Sequence, residues 1–376
     1  MLSSHISKAV LLAAALGGTL APAGESAPGK EGTEPARSKE SARPARRDPL
    51  RSLSQEITPA LRVSIDRGFR YLKDNQMTSG SFAGSEGFTV AVNALVGLAF
   101  LAGGHTDKEG PYTETVRNCT RCLLGYQNEQ GYFDDRESRM YGHGFATLYL
   151  AELHGMAGEQ REEVRSALKK AVQVIELSQS SDGGWDYQPD VRFGGSGSRG
   201  ESDTSITVCQ AMALRAARNL GIQVQPAVVE RARSYIRNAQ NPDGGFCYRL
   251  SGAIRWGGGS QFPRSAAGVC ILYSLAKTPE EYTSPEINRG YDYLLENYRG
   301  FSQFPYYGHY YCTQAMFQAG GAKWAEYFPY LRDRLIKTQK KDGSWSGGGM
   351  EVTSQTTAMA LISLQLPFRF LPITER

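Results

Sequence analysis

Gln179-Ser180-Ser181-Asp182-Gly183-Gly184-Trp185 sets a glutamine six residues ahead of an aromatic side chain, with a glycine turn between them. Four other stretches keep that spacing: Gln76 and Phe82, Gln127 and Phe133, Gln240 and Phe246, Gln339 and Trp345. Their turns read Ser79-Gly80-Ser81, Gln130-Gly131-Tyr132, Asp243-Gly244-Gly245 and Asp342-Gly343-Ser344. Self-similarity of this kind marks a repeat architecture. Ahead of each turn lies a striped helix pattern, such as Leu61, Ile65, Phe69, Leu72 or Val164, Leu168, Val172, Ile175, whose steps of three and four make one apolar face. After each turn comes a second pattern that is small and apolar on every side, as in Val90-Ala91-Val92-Asn93-Ala94-Leu95-Val96-Gly97-Leu98-Ala99. A helix apolar all round is an inner helix, and a striped one covers it from outside.

A further helix pair lacks the Gln signature, with Ile287, Tyr291, Leu294 and Tyr298 as its stripe and Tyr310 to Ala319 as its inner helix. A second match ties it to the set: Tyr141-Gly142-His143-Gly144 against Tyr307-Gly308-His309-Tyr310. Six hairpins with parallel inner helices close into a ring, whereas an open solenoid needs polar terminal repeats. The last inner segment stays apolar through Leu366, Phe368, Phe370 and Leu371, which suits closure on the first unit. The expectation is an all-α protein, an (α/α)6 toroid of six helical hairpins over residues 55–376. In each joint the aromatic is expected to stack on the Gln amide while the turn's Asp caps the next segment.

Composition bounds the rest. A chain of 376 residues, 40% hydrophobic and 21% charged, is neither a disordered polymer nor a disulfide miniprotein. Net charge is +4, but residues 1–51 hold eight Lys/Arg against five Asp/Glu, leaving +1 from Ser52 onward. No basic field remains to grip nucleic acid. Lys8, the apolar run Ala9 to Leu16 and Ala21-Pro22-Ala23 form an export signal cleaved after Ala23, too short to span a bilayer. Residues 24–54, rich in Pro, Gly, Ser and alternating charge, read as a disordered leader. The expected location is therefore periplasmic or extracellular, with no transmembrane span. Cys119 and Cys122 are read as small apolar residues on a buried helix face.

The repeats Gln179 to Trp185 and Lys341-Asp342-Gly343-Ser344-Trp345, with Thr353-Ser354-Gln355-Thr356-Thr357-Ala358 after them, resemble those of squalene/hopene cyclases. Protein prenyltransferase β-subunits are similar in the same toroid, and the chain looks closest to bacterial single-toroid proteins of that repeat type. The resemblance spans about 320 residues at the level of the repeat. It implies isoprenoid chemistry and, in the cyclases, an Asp-x-Asp-Asp-Thr run whose central Asp protonates an alkene. The matching stretch here is Gly200-Glu201-Ser202-Asp203-Thr204, so the donor position reads Ser202. Asp203 is then either the N-cap of its helix or an acid displaced by one residue. The Asp-x-Cys zinc pair of the prenyltransferases does not occur, and neither metal nor cofactor is expected.

The catalytic candidates are Asp203, His143 and His309, the two imidazoles expected to face a shared funnel from opposite sides of the ring. Ligand contacts are expected from Tyr141, Tyr307, Tyr310 and Trp256, aromatic walls suited to an apolar molecule or a carbocation, and from Arg192 and Arg255. These two arginines sit in long insertions, Asp186 to Ser202 and Tyr248 to Arg264, which should lie side by side over one mouth. Inner-helix N-termini there would favour an anionic head over a cation. Two classes of function stand: an isoprenoid-binding toroid with cyclase- or prenyltransferase-like activity, and a non-catalytic scaffold that binds lipid or a protein partner. A glycan-processing enzyme recruiting two of Asp134, Asp135, Glu137 and Asp203 is a third.

Overall fold

The computed structural model describes residues 56–156, 162–193, 195, 202–250, 258–300, 304–347 and 351–374. The export signal, the leader, Glu201, Arg255 and Trp256 lie outside them. Among the described residues there are twelve α-helices and no strand. Outer helices α1 (Pro59–Asp74), α3 (Thr113–Gly125), α5 (Glu162–Leu177), α7 (Pro226–Ala239), α9 (Pro285–Asn297) and α11 (Gly321–Thr338) alternate with inner helices. The inner set is α2 (Thr89–Ala102), α4 (Arg139–Met156), α6 (Thr204–Asn219), α8 (Phe262–Ser274), α10 (Pro305–Ala319) and α12 (Thr353–Gln365). Each inner helix packs on the next, and α12 packs on α2 and on α1, so the ring is closed.

Local sequence explains the two kinds of helix. α1 starts where the Thr58 hydroxyl accepts from Leu61 N (3.1 Å) with Pro59 behind it, and it buries only Leu61, Ser64, Ile65, Gly68, Phe69 and Leu72. Every residue of α2 is buried.

The repeated joint works differently from the expected stacking. Each Gln side-chain amide donates to two carbonyls, one in its own turn and one in the following outer helix. The pairs are Gly80 and Thr115 for Gln76, Gly131 and Ala167 for Gln127, Gly183 and Val228 for Gln179, and Gly244 and Glu286 for Gln240. Gln339 reaches Gly343 and, round the ring, Ser64, both at 2.9 Å. Asn, one methylene shorter, would not bring its amide to both carbonyls, which accounts for Gln at this position. The turn glycine is required as well. Gly343 has φ +93°, and a Cβ there would lie 2.4 Å from the Arg67 carbonyl; Gly183 meets Arg231 in the same way. The turn's Asp serves both its own turn and the segment ahead of the next inner helix, Asp182 accepting from Gly184 N (3.1 Å) and Ser202 N (3.3 Å) and Asp243 from the Ser260 hydroxyl (2.7 Å), while Trp185 and Trp345 each donate to a carbonyl ten residues back. The unit without Gln replaces the clamp with aromatic contact. Tyr298 lies edge-on to Tyr327 and Tyr330, and the Arg299 guanidinium covers its face.

The C-terminal residues do not prolong α12. A 3-10 turn, Leu366–Phe368, and Arg369 at φ +59° redirect the chain into a second turn, Pro372–Thr374. There Ile373 N donates to buried Glu152 (3.0 Å) and Arg215 donates to Ile373 O (3.2 Å), sealing the ring at the C-terminal ends of the inner helices.

Candidate functional site

With that end sealed, the hollow lies at the opposite rim, where the inner helices begin. It has two lobes. One, whose empty space of about 430 Å³ includes the solvent open to it, is lined by Tyr141, Ser205, Pro263, Arg264, Phe304, Tyr307, Glu351 and Gln355. The other, about 450 Å³ counted in the same way with open solvent, adds Phe88, Ala91, Glu137, Ser138, Phe145, Tyr187 and Met359. Tyr141, Tyr307 and Gln355 border both. All six inner helices contribute from their first turns or the residues just before them.

Below the lobes the bore is filled. Phe145 of α4 meets Tyr310 of α10 across the axis at 6.3 Å between ring centres, Tyr310 packs on Tyr311 at 4.7 Å, and the Tyr311 hydroxyl is 3.3 Å from Cys209 Sγ. Tyr310 is therefore floor, one turn beneath Tyr307. Tyr307 itself packs edge-on against Tyr311, and its buried hydroxyl lies near those of Tyr141 and Tyr311 without a well-formed hydrogen bond among the described residues.

Asp203 is fully buried and caps α6. One carboxylate oxygen accepts from Ser205 N (2.7 Å) and Ile206 N (3.2 Å), and the other from the Tyr187 hydroxyl (2.9 Å). Tyr187 continues to Tyr248, 2.8 Å between hydroxyls. Ser202, at the position of a cyclase's proton donor, is buried with its hydroxyl on Asp182. The roots of the two long insertions do lie side by side. Thr204 N donates to Tyr248 O, Arg249 pairs with Asp186 at 3.6 Å, and its guanidinium covers Tyr187 and Tyr248.

Both histidines face away from the hollow, contrary to the expected shared funnel. His143 Nδ1 accepts from Phe133 N (3.3 Å), which leaves Nε2–H to donate to Ala171 O of outer helix α5 (3.0 Å). His309 Nδ1 is 2.9 Å from the Tyr327 hydroxyl of outer helix α11. Burial lowers the first imidazole to about 4, against the Ala171 carbonyl that holds its proton, and the second to about 3. Two residues on a helix are 200° apart, so Tyr141 and Tyr307 facing the axis turn their following histidines outward. Arg192 is also elsewhere: 56% exposed, it pairs with Asp190 and the Leu177 carbonyl at the outer surface.

Of the four carboxylates of the glycan-processing alternative, only Glu137 lines the hollow. Asp135 is drawn into accepting from Val90 N (2.7 Å) and Ser138, and Asp134 from Arg136 N. No group of three or more His, Cys, Asp or Glu among the described residues could hold a metal ion.

Sequence reasoning missed Glu351, Gln355, Arg264 and Ala91. A signal existed. Ala91, Tyr141, Arg264, Tyr307 and Gln355 are each the third residue of an inner helix, so one register of the repeat marks a lining residue on five of the six inner helices. Glu351 stands just before α12, and burial pushes its carboxyl up to about 7.

With this geometry, solved structures of similar architecture can be compared. A variant of the type II terpene cyclase MstE from Scytonema, in complex with geranylgeranyl dihydroxybenzoate, superposes with a TM-score of 0.57 at 13% identity, over 83% of this chain and 98% of that one. The fold is an α/α-toroid, as in that cyclase. Two glycosidases share it. An unsaturated glucuronyl hydrolase specific for heparin gives a TM-score of 0.58 at 10% identity (81% and 96% covered). A GH76 α-mannanase of Bacteroides thetaiotaomicron gives 0.60 at 9% (86% and 99%). No family model and no curated protein matches the sequence. Identities this low speak for the toroid alone.

Proposed function

We propose that this protein is an exported toroid that binds an elongated apolar small molecule, an isoprenoid or a lipid of similar shape, in the rim hollow. The observation that carries this is the apolar lobe, whose walls of Phe88, Ala91, Phe145, Tyr187 and Met359 adjoin Tyr141 and Tyr307 at a common rim. Aromatic and aliphatic walls around a few polar groups are the general form of a small-molecule site. The terpene cyclase of the same architecture, crystallised with a geranylgeranyl compound, lends support by analogy of fold.

Binding is favoured over cyclase-type proton donation. Ser202 has no acidic proton to give, and Asp203 is engaged by two backbone N–H groups and Tyr187. No helix among the described residues is long and apolar enough to cross a membrane. The partner in this reading is an apolar molecule presented to a toroid outside the cytoplasm.

The test is to fill the lobe. Ala91 looks into it from α2, and Ala91→Phe should weaken binding of all-trans farnesol, followed by tyrosine and tryptophan fluorescence, by about tenfold or more while leaving the far-ultraviolet spectrum unchanged. Farnesol bound equally well by the variant would place the ligand elsewhere.

A further inference from the structure

The second lobe differs in chemistry from the first, and its polar groups are of opposite sign. Glu351 lies at its wall with a carboxyl oxygen beside Gly347, and Arg264 of α8 supplies a positive charge. That guanidinium is 2% exposed and fixed, its Nε donating to Phe246 O at 2.9 Å and a terminal nitrogen to Gly259 O, with Tyr248 beneath it. Three of the inner helices that border this lobe, α8, α10 and α12, have no side-chain cap at Gln261, Phe304 or Val352. Their N-terminal ends add positive field to that of Arg264. α6, whose Ser205 also lines this lobe, is instead capped by the Asp203 carboxylate, and on the other lobe Asp135 meets the start of α2.

A cation entering this lobe would meet Arg264 and three helix N-termini. An anion would meet Glu351 and, behind Ser205, the Asp203 carboxylate, in a lobe shared with Arg264 and the phenols Tyr141 and Tyr307, with Tyr306 near Glu351. A hydroxyl meets neither penalty and offers what the lobe needs, a donor for the Glu351 carboxylate and an acceptor for the buried Tyr307 hydroxyl. We infer that the Glu351 lobe selects an uncharged hydrogen-bonding head group, an alcohol or a phenol, and that Glu351 and Tyr307 read that head while the adjoining lobe holds the chain. This deepens the proposed function and rests on it.

Three probes with one chain separate the two claims: farnesol, farnesoic acid and farnesylamine, titrated at pH 8 into the purified protein and into its variants. The expected order has the alcohol bound about tenfold or more tightly than either charged probe. Glu351→Gln, which keeps a hydrogen-bonding head, should hold farnesol within about threefold and tighten farnesoic acid by about tenfold. Glu351→Ala should weaken farnesol by about fivefold to tenfold. Farnesoic acid or farnesylamine binding as well as the alcohol would overturn the selection of an uncharged head while leaving the apolar site standing. Glu351→Ala binding farnesol like the parent would remove Glu351 from recognition. If none of the three probes binds, the apolar site itself falls.

Discussion

Glu351 ionises at a cost to the fold. Its carboxyl sits at about 7 against an ordinary 4.5, so between those values the folded chain holds a proton that the unfolded chain has released, and stability falls as pH rises across that window. Glu351→Gln should therefore raise the melting temperature above pH 7, by an equivalent of roughly 2–3 kcal/mol at pH 8, and have little effect at pH 4.5. Equal melting temperatures for parent and variant at pH 8 would show that the carboxyl is not desolvated. The histidines act in the other direction. Buried neutral at about 4 and about 3, His143 and His309 give stability that is complete above 6.5 and is lost as pH falls, and both proteins in the comparison should share that acid limb. At this scale the sequence was half legible. Tyr141 and Tyr307 stood out because a motif surrounded them, and the helical step of 100° per residue already excluded His143 and His309 from the same face. Glu351 belonged to no motif; its role follows from which side chains the closed ring sets opposite it.

The joints were the most legible elements, since their sequence pattern is the direct imprint of geometry. A clamp that ties a turn to the next outer helix needs the length of Gln, and the approach of two backbones needs Gly at positive φ. Gly343→Ala should destabilise by about 3 kcal/mol or more, because its Cβ would run into the Arg67 backbone. Gly84→Ala, at a similar φ of +75° but with no atom within 4 Å, should lose only about 1 kcal/mol in urea denaturation. Comparable losses in the two variants would mean that φ alone, and not the closeness of the neighbouring helix, requires the glycine. What the pattern did not reveal was which atoms meet. Spacing locates a turn and an aromatic, but stacking and hydrogen bonding leave the same spacing behind.

Across the whole molecule, the C-terminal turn is what converts a ring into a cup. Leu371 and Ile373 are 4% and 3% exposed, and the Ile373 backbone satisfies Glu152 and Arg215 at the ends of α4 and α6. Ending the chain after Phe370 should cost on the order of 3–5 kcal/mol, from two apolar side chains and the lost hydrogen bonds of Ile373 to Glu152 and Arg215. It would be read as a fall in melting temperature, and a truncated protein as stable as the parent would show that this turn is not a seal. Closure was foreseeable from the number of hairpins and the apolar last helix; the turn itself was not, because a short run such as Phe370-Leu371-Pro372-Ile373 has no period to read.

The bond from Gln339 to the Ser64 carbonyl joins residues 275 apart in the chain. Neighbouring hairpins can dock as each leaves the ribosome, but the first and last meet only after nearly all the polypeptide has been made. Until then the nascent chain carries two raw apolar flanks, one on the first hairpin and one on the most recent. Final assembly is consequently a late, long-range event, and refolding should be governed by the slow encounter of the two ends rather than by the making of any one helix pair.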